Sequence, residues 1–194
     1  MRTFPKSRLD ALTDGVFAFA MTLLVLELRL PSDAAIRDGA ELIAQLRALR
    51  PQYLAYLISF FVLAAQWRGH IELRHAEEVA RNVLGWSLAY LFFITSVPFS
   101  TSVVGRYGDL PPAAWLYAAN MIVVGALLLR LRMAEAVPEH RAGIGIGNAR
   151  ILMFMATAIV SVLISLLAPG YAMYAYLLNI PGMPLAERWQ RPER

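Results

Sequence analysis

Residues 150–168 read RILMFMATAIVSVLISLLA, and from 151 to 168 not one residue is charged. A helix crosses the hydrocarbon of a bilayer in about 20 residues, so a charge-free apolar run of this length predicts a spanning segment. Lipid offers the backbone no hydrogen-bond partners, and such a run satisfies its N–H and C=O groups internally, as a helix. Comparable runs lie outward from it near 113–131, 83–104, 53–69 and 13–30, and a shorter one lies near 171–184. The expectation is an all-α integral membrane protein: six transmembrane helices in a single domain, residues 1–194. Pro98, late in the third run, predicts a kink, and Pro169-Gly170 predicts a tight turn between the last two.

The composition agrees. Hydrophobic residues make up 58% of the chain and charged ones 16%, with a mean hydropathy of +0.52. Soluble domains carry about 45–50% apolar and about 25% charged residues. A soluble core of this size cannot hide so much apolar surface, because surface-to-volume scaling leaves much of it exposed. The absence of cysteine excludes a disulfide, a thiol nucleophile and a thiolate metal site.

A net charge of +4 invites a nucleic-acid reading, but the basic residues sit at the ends of apolar runs, with no basic face interleaved with aromatics. No nucleic-acid partner is expected. Those end positions instead set orientation. Of the Lys and Arg residues, 13 fall on the side of the N-terminus and 5 on the other. Positive charge stays in the cytoplasm, so a multi-pass protein of the cell (plasma) membrane with both termini cytoplasmic is predicted. Trp67, Trp86, Trp115 and Trp189 lie near run ends, where amphipathic rings favour the interface. Residues 1–30 could resemble a secretory signal, but Asp14 and Glu27 bracket the apolar run and no small-residue cleavage site follows; they read as a retained first helix. Residues 40–50 place Leu42, Leu46 and Leu49 on one face and predict a short interfacial helix.

Charged side chains in or beside a span are costly in hydrocarbon and turn toward protein or water. In the first helix, Arg8 and Asp14 lie nearly two turns apart, so a shared polar network is one reading. The other makes Arg8 a cytoplasmic anchor and Asp14 a cap at the helix start. Phe19, Leu23, Leu26 and Leu30 recur at one-face spacing, a pattern that usually means packing or lipid contact. Thr22 beside them is the kind of lone hydroxyl that bonds back to its own helix.

These residues also carry a resemblance. Arg8-x-x-x-Leu12-Thr13-Asp14 resembles the Arg-x-x-x-Phe-Ser-Asp signature of the transmembrane protein 175 potassium channels, and the segment Gly15-Val-Phe-Ala…Thr22-Leu-Leu-Val-Leu-Glu27 is similar to the rest of their first helix. Trp67-x-x-His70, Asn82 and Pro98-Phe99 resemble features of the second and third spans of that family. The resemblance implies a potassium-permeable channel in which single-repeat chains assemble as homotetramers, with the first helix lining the pore. It implies an apolar constriction at Phe19, Leu23 and Leu26, with Thr22 as the hydroxyl of cation selectivity. It also implies a structural polar network of Arg8, Thr13, Asp14, Trp67, His70 and Asn82. Leu12 and Thr13 stand where the family has Phe and Ser, Ile71 replaces a second His, and Phe19 replaces an aliphatic residue.

Other signals fail on chemistry. Val103-Val-Gly-Arg-Tyr-Gly-Asp109 superficially resembles a carbonyl filter, but Arg106 would oppose a cation there, and the segment reads as a turn. His70, Glu72, His75, Glu77 and Glu78 suggest a metal, yet histidines five apart do not share a helix face and Arg74 and Arg81 oppose one; a solvated charged loop is expected. Gly143-Ile-Gly-Ile-Gly147 follows no strand and reads as a flexible linker, not a phosphate cradle. No span offers a nucleophile–base set, so no catalytic residues, cofactor or enzyme activity are expected, and the permeant potassium ion is cargo. The competing function is a secondary transporter, for which repeated halves, broken helices and midplane charges would be the signature.

Overall fold

The computed structural model describes residues 3–30, 36–71, 78–135 and 141–179. Within them run β1 (Thr3–Pro5), α1 (Lys6–Val25), α2 (Gly39–Ala48), α3 (Arg50–Ile71), β2 (Glu78–Ala80), α4 (Arg81–Thr95), α5 (Val97–Tyr107), α6 (Pro111–Glu135), α7 (Arg141–Leu167) and a 3-10 segment (Pro169–Asn179). The architecture is an all-α bundle, with one unforeseen addition. β1 pairs antiparallel with β2, Phe4 opposite Val79, and so joins the starts of α1 and α4.

Several expected boundaries move. The first apolar run spans residues 13–30, but α1 begins at Lys6 and ends at Val25. Beyond it Leu26 and Glu27 form a turn in which the N–H of Leu26 bonds to Leu23 O and that of Glu27 to Leu24 O. The run near 83–104 is broken at Ser96 into α4 and α5, just before Pro98. Proline lacks an N–H and its ring crowds the carbonyl one turn earlier, which interrupts the helix at this point. The hydroxyls of Thr95 and Ser96 both bond Phe92 O, as does the N–H of Ser96, so polar groups stay paired across the break. The run near 171–184 is not an α-helix: residues 169–179 are 3-10, and 180–184 lie outside the described residues. At about 2.0 Å per residue it is ~22 Å long, short of the ~30 Å hydrocarbon core. The turn at Pro169 does fold it back on α7, where Asn179 Nδ2 donates to Thr157 Oγ1 at 2.8 Å.

Among the described residues, three stretches are long and apolar enough to cross a membrane: Val83–Tyr107, Pro111–Ala134 and Asn148–Leu167; a fourth is α2 with α3 if that pair, bent by 49°, counts as one. α1 falls outside this group because Lys6, Arg8, Asp10 and Asp14 interrupt its first half. The interfacial-helix expectation corresponds to α2. Asp38 Oδ1 accepts from the N–H of Glu41 and Glu41 Oε2 accepts from the N–H of Arg37, a reciprocal N-terminal cap. None of its ten residues is buried, and Leu42, Ile43 and Leu46 are exposed.

The interior gathers Phe17, Leu24, Ile58, Leu63, Tyr90, Ile94, Tyr117, Met121, Leu128 and Tyr176. α6 and α7 close on each other at Gly125, where an added Cβ would stand 2.7 Å from Met155 Cγ. Away from this core, α7 exposes Leu152, Ile159, Leu163 and Leu166. At one end of the bundle Arg130 lies over the ring of exposed Trp86, 5.6 Å from its centroid.

Candidate functional site: the two faces of the first helix

α1 divides sharply. Lys6, Leu9, Thr13, Phe17, Ala20 and Leu24 are buried against α3, α4 and α5. On the other side Arg8, Ala11, Leu12, Gly15, Ala18, Phe19, Thr22, Val25 and Leu26 are exposed. Gly15 and Thr22, and likewise Leu12, Phe19 and Leu26, recur every seven residues, which is close to two helical turns. The exposed side is therefore one continuous stripe. It combines small residues with large apolar ones: Phe19 is 64% exposed and Leu26 53%.

The predicted pore residues do not share one environment. Phe19, Thr22 and Leu26 are on the exposed stripe, whereas Leu23 is half-buried on its flank. Leu24, one residue on, is fully enclosed. Leu30 is exposed but lies beyond the helix. Thr22 Oγ1 donates to Phe19 O at 2.8 Å. A hydroxyl carries one donor and two acceptor lone pairs, so this bond spends the proton and leaves acceptor character on the exposed side.

The inner side of α1 meets its neighbours through polar groups. Trp67 Nε1 on α3 donates to Asp14 Oδ1 at 2.9 Å. Thr13 Oγ1 is buried and bonds back to Leu9 O at 2.9 Å. His70 is buried, with Nε2 3.9 Å from Asp10 Oδ1, and its ring stacks on that of Tyr90, centroids 6.2 Å apart. Arg132 of α6 reaches in and donates to Gly69 O at 3.1 Å. Of the six network residues expected from the sequence, Asp14 and Trp67 bond each other, Thr13 is buried on the same side of α1 but bonds its own helix, and His70 stands against Asp10 and Tyr90 instead. Arg8 is exposed and has no hydrogen bond or ion pair among the described residues, so it does not partner Asp14 within the chain. The side chain of Asn82 lies outside the described residues.

Sequence reasoning passed over Asp10, Tyr90 and Arg132. One signal was present: Ser59, Leu63, Gln66 and His70 follow a single-face spacing on α3, and all four are buried. A second polar cluster sits deeper. Thr101 Oγ1 lies 2.8 Å from Ser59 Oγ, which lies 3.0 Å from Tyr117 OH, and Asn120 Nδ2 donates to Ser100 Oγ at 3.3 Å. These bonds link α3, α5 and α6 where no water competes. No group of three or more metal-ligating side chains occurs among the described residues. Of the histidine-rich stretch, residues 72–77 lie outside them, as do the side chain of Glu78 and Trp189.

The fold is thus an all-α membrane bundle that buries one side of a polar first helix and leaves the other exposed. Comparisons place it more closely. The family model "Endosomal/lysosomal potassium channel TMEM175" matches residues 8–98. A potassium channel of Chamaesiphon minutus is 35% identical over 139 residues, covering 69% of this chain and 67% of that protein. A potassium channel of a Chryseobacterium species is 33% identical over 127 residues, covering 64% and 62%. The crystal structure of a lysosomal potassium-selective channel TMEM175 homolog from Chamaesiphon minutus matches with a TM-score of 0.80 at 26% identity, across 95% of this chain and 98% of that one. The chain belongs to the TMEM175 family. That family is a channel family and not an enzyme class.

Proposed function

We propose that this protein is a potassium-permeable channel in which four copies surround a central pore lined by the exposed stripe of α1. The observation that carries the reading is the exposed stripe itself, in which Gly15, Ala18 and Thr22 permit close approach while Phe19 and Leu26 project. Six short segments in one chain cannot easily enclose a passage, whereas copies of one helix around a closed rotation axis can. Repeated around that axis, Phe19, Leu23 and Leu26 form apolar rings that stop ions by offering no replacement for their hydration shell. Thr22, with its proton committed to Phe19 O, adds a ring of acceptor oxygens suited to a cation.

In this reading six segments lie in the membrane: α1, α3, α4 with α5, α6, α7 and the shorter 3-10 segment packed on α7. Both termini are cytoplasmic and the location is the cell membrane, following the Lys and Arg asymmetry. The bond of Trp67 to Asp14 and the approach of His70 to Asp10 tie α1 to α3 and hold α1 in register. Flow is down the ion's own gradient, with no cofactor. The relatives named potassium channels, at identities of 35% and 33%, support the ion assignment. Purified protein in potassium-loaded liposomes tests it. Potassium efflux that needs no second ion, from a particle of tetrameric mass, is the expected result. Efflux that depends strictly on a co-transported ion, or a monomeric particle, overturns it.

A further inference from the structure

The outer limit of α1 is held differently from its middle. Leu24, fully enclosed, lines a narrow crevice with Glu27, Gln52, Tyr56, Thr101 and Gly105. α3 and α5 are closed on each other here: a Cβ added at Gly105 would stand 3.3 Å from the Cα of Gln52. The end of α1 rests on this pair. Past Val25 its backbone bonds are those of a turn, 3.1 Å for Leu26 and 3.3 Å for Glu27, and a terminal turn of this kind opens more easily than the helix before it. From this turn a side chain does cross to α5: Glu27 Oε2 lies 3.6 Å from Arg106 Nη2.

Leu26 precedes Glu27 directly, so their Cα atoms are about 3.8 Å apart and cannot move independently. Leu26 faces the exposed stripe while Glu27 is tied on the other side. Resting on the channel reading above, we propose that Glu27 and Arg106 are positioning residues whose ion pair holds the terminal turn of α1 against α5 and thereby sets the width of the Leu26 ring. The two side chains are 31% and 45% exposed, so the pair is partly screened and acts as a graded restraint. Symmetry repeats the restraint in every copy, so a small displacement of each turn changes the whole ring at once.

The test is potassium flux from liposomes for Glu27→Gln, Arg106→Gln, the swap Glu27→Arg with Arg106→Glu, and the conservative Arg106→Lys. Each neutralising variant is expected to lower flux about two- to fivefold, the range an exposed pair commands in an equilibrium, because the freed turn lets Leu26 move toward the axis. The swap is expected to return flux to within about twofold of the unaltered protein, and Arg106→Lys to stay there even if the swap does not fold. If Glu27→Gln lowers flux while Arg106→Gln raises it, the carboxylate acts on ions through its own field and the positioning role is overturned. Unchanged flux in both neutralised variants also overturns it. Those results leave the channel intact; absence of flux from both the unaltered protein and Leu26→Ala defeats the channel reading instead.

Discussion

The indole N–H of Trp67 on α3 points at Oδ1 of Asp14 on α1, 2.9 Å away, and joins residues 53 positions apart in the chain. The acid that reads from the sequence as a helix-start cap lies inside α1 and accepts a hydrogen bond from a neighbouring helix. This bond explains how a helix carrying four charges in its first half is seated among apolar neighbours. With the packing of Leu9, Phe17 and Leu24, it helps set the rotation of α1 and with it the residues left facing outward.

Trp67→Phe removes the donor and keeps most of the ring. Hydrogen bonds to charged groups contribute about 1.5–3 kcal/mol, and with Trp67 exposed the lower end, about 1.5 kcal/mol, is expected. Asp14→Ala is expected to cost more than Trp67→Phe, since it also removes the rest of the carboxylate's surroundings. Thermal unfolding in detergent reads both. Stabilities of both variants equal to the unaltered protein would show that the bond does not hold α1.

The stripe on α1 predicts a pattern of flux. Phe19→Ala and Leu26→Ala are expected to raise potassium flux most, Leu23→Ala less because it sits on the flank, and Thr22→Val to reduce preference for potassium over sodium. Leu24→Ala is no neutral control: its side chain is fully enclosed, and truncating a buried Leu costs about 2–5 kcal/mol. Leu163→Ala on the exposed side of α7 serves instead, with flux unchanged. Liposome flux and reversal potentials decide, and an equal rise at Leu163 would sink the assignment of the pore face.

Packing of α6 on α7 depends on Gly125 lacking a side chain. Gly125→Val drives a branched Cβ into Met155, with an expected loss of about 1–3 kcal/mol. Met155→Ala is expected to recover part of that loss when combined with it, although it costs stability alone. A double-mutant cycle on thermal stability measures the coupling; strictly additive losses would mean that the two residues do not meet.

The cluster of Ser59, Thr101 and Tyr117 predicts non-additive losses. Ser59→Ala is expected to cost about 1–3 kcal/mol, because it strands the buried hydroxyl of Tyr117, whereas Thr101→Val and Tyr117→Phe each leave Ser59 one partner and are expected to cost about 0.5–1.5 kcal/mol. Ser59→Ala combined with Tyr117→Phe is expected to cost less than the sum, since the second removes a group already stranded. Denaturant unfolding in detergent checks this, and full additivity argues against a shared network.

Much was legible from residue order alone. The charge-free run at 151–168 is sufficient to make a helix in lipid, because no other backbone state satisfies its polar groups there. The same reasoning covers 113–131 and 53–69, which lie inside α6 and α3 with little change of boundary. The arrangement Arg8…Asp14 with Trp67 and His70 also pointed to the family, because that signature joins residue types seldom found together in a span. Tertiary structure decided what these residues touch. That Asp14 meets Trp67 and leaves Arg8 outside, that Asp10 stands beside His70, and that Glu27 reaches Arg106 all depend on how helices are rotated against one another. Rotation is set by the joint packing of many side chains, which local periodicity does not encode. The 3-10 form of residues 169–179 has the same origin, since it folds back on α7 after Pro169 and fits the space that α7 and α3 leave. Apolarity and charge thus determined which segments enter the membrane, and close packing between them decided which face of α1 remains open.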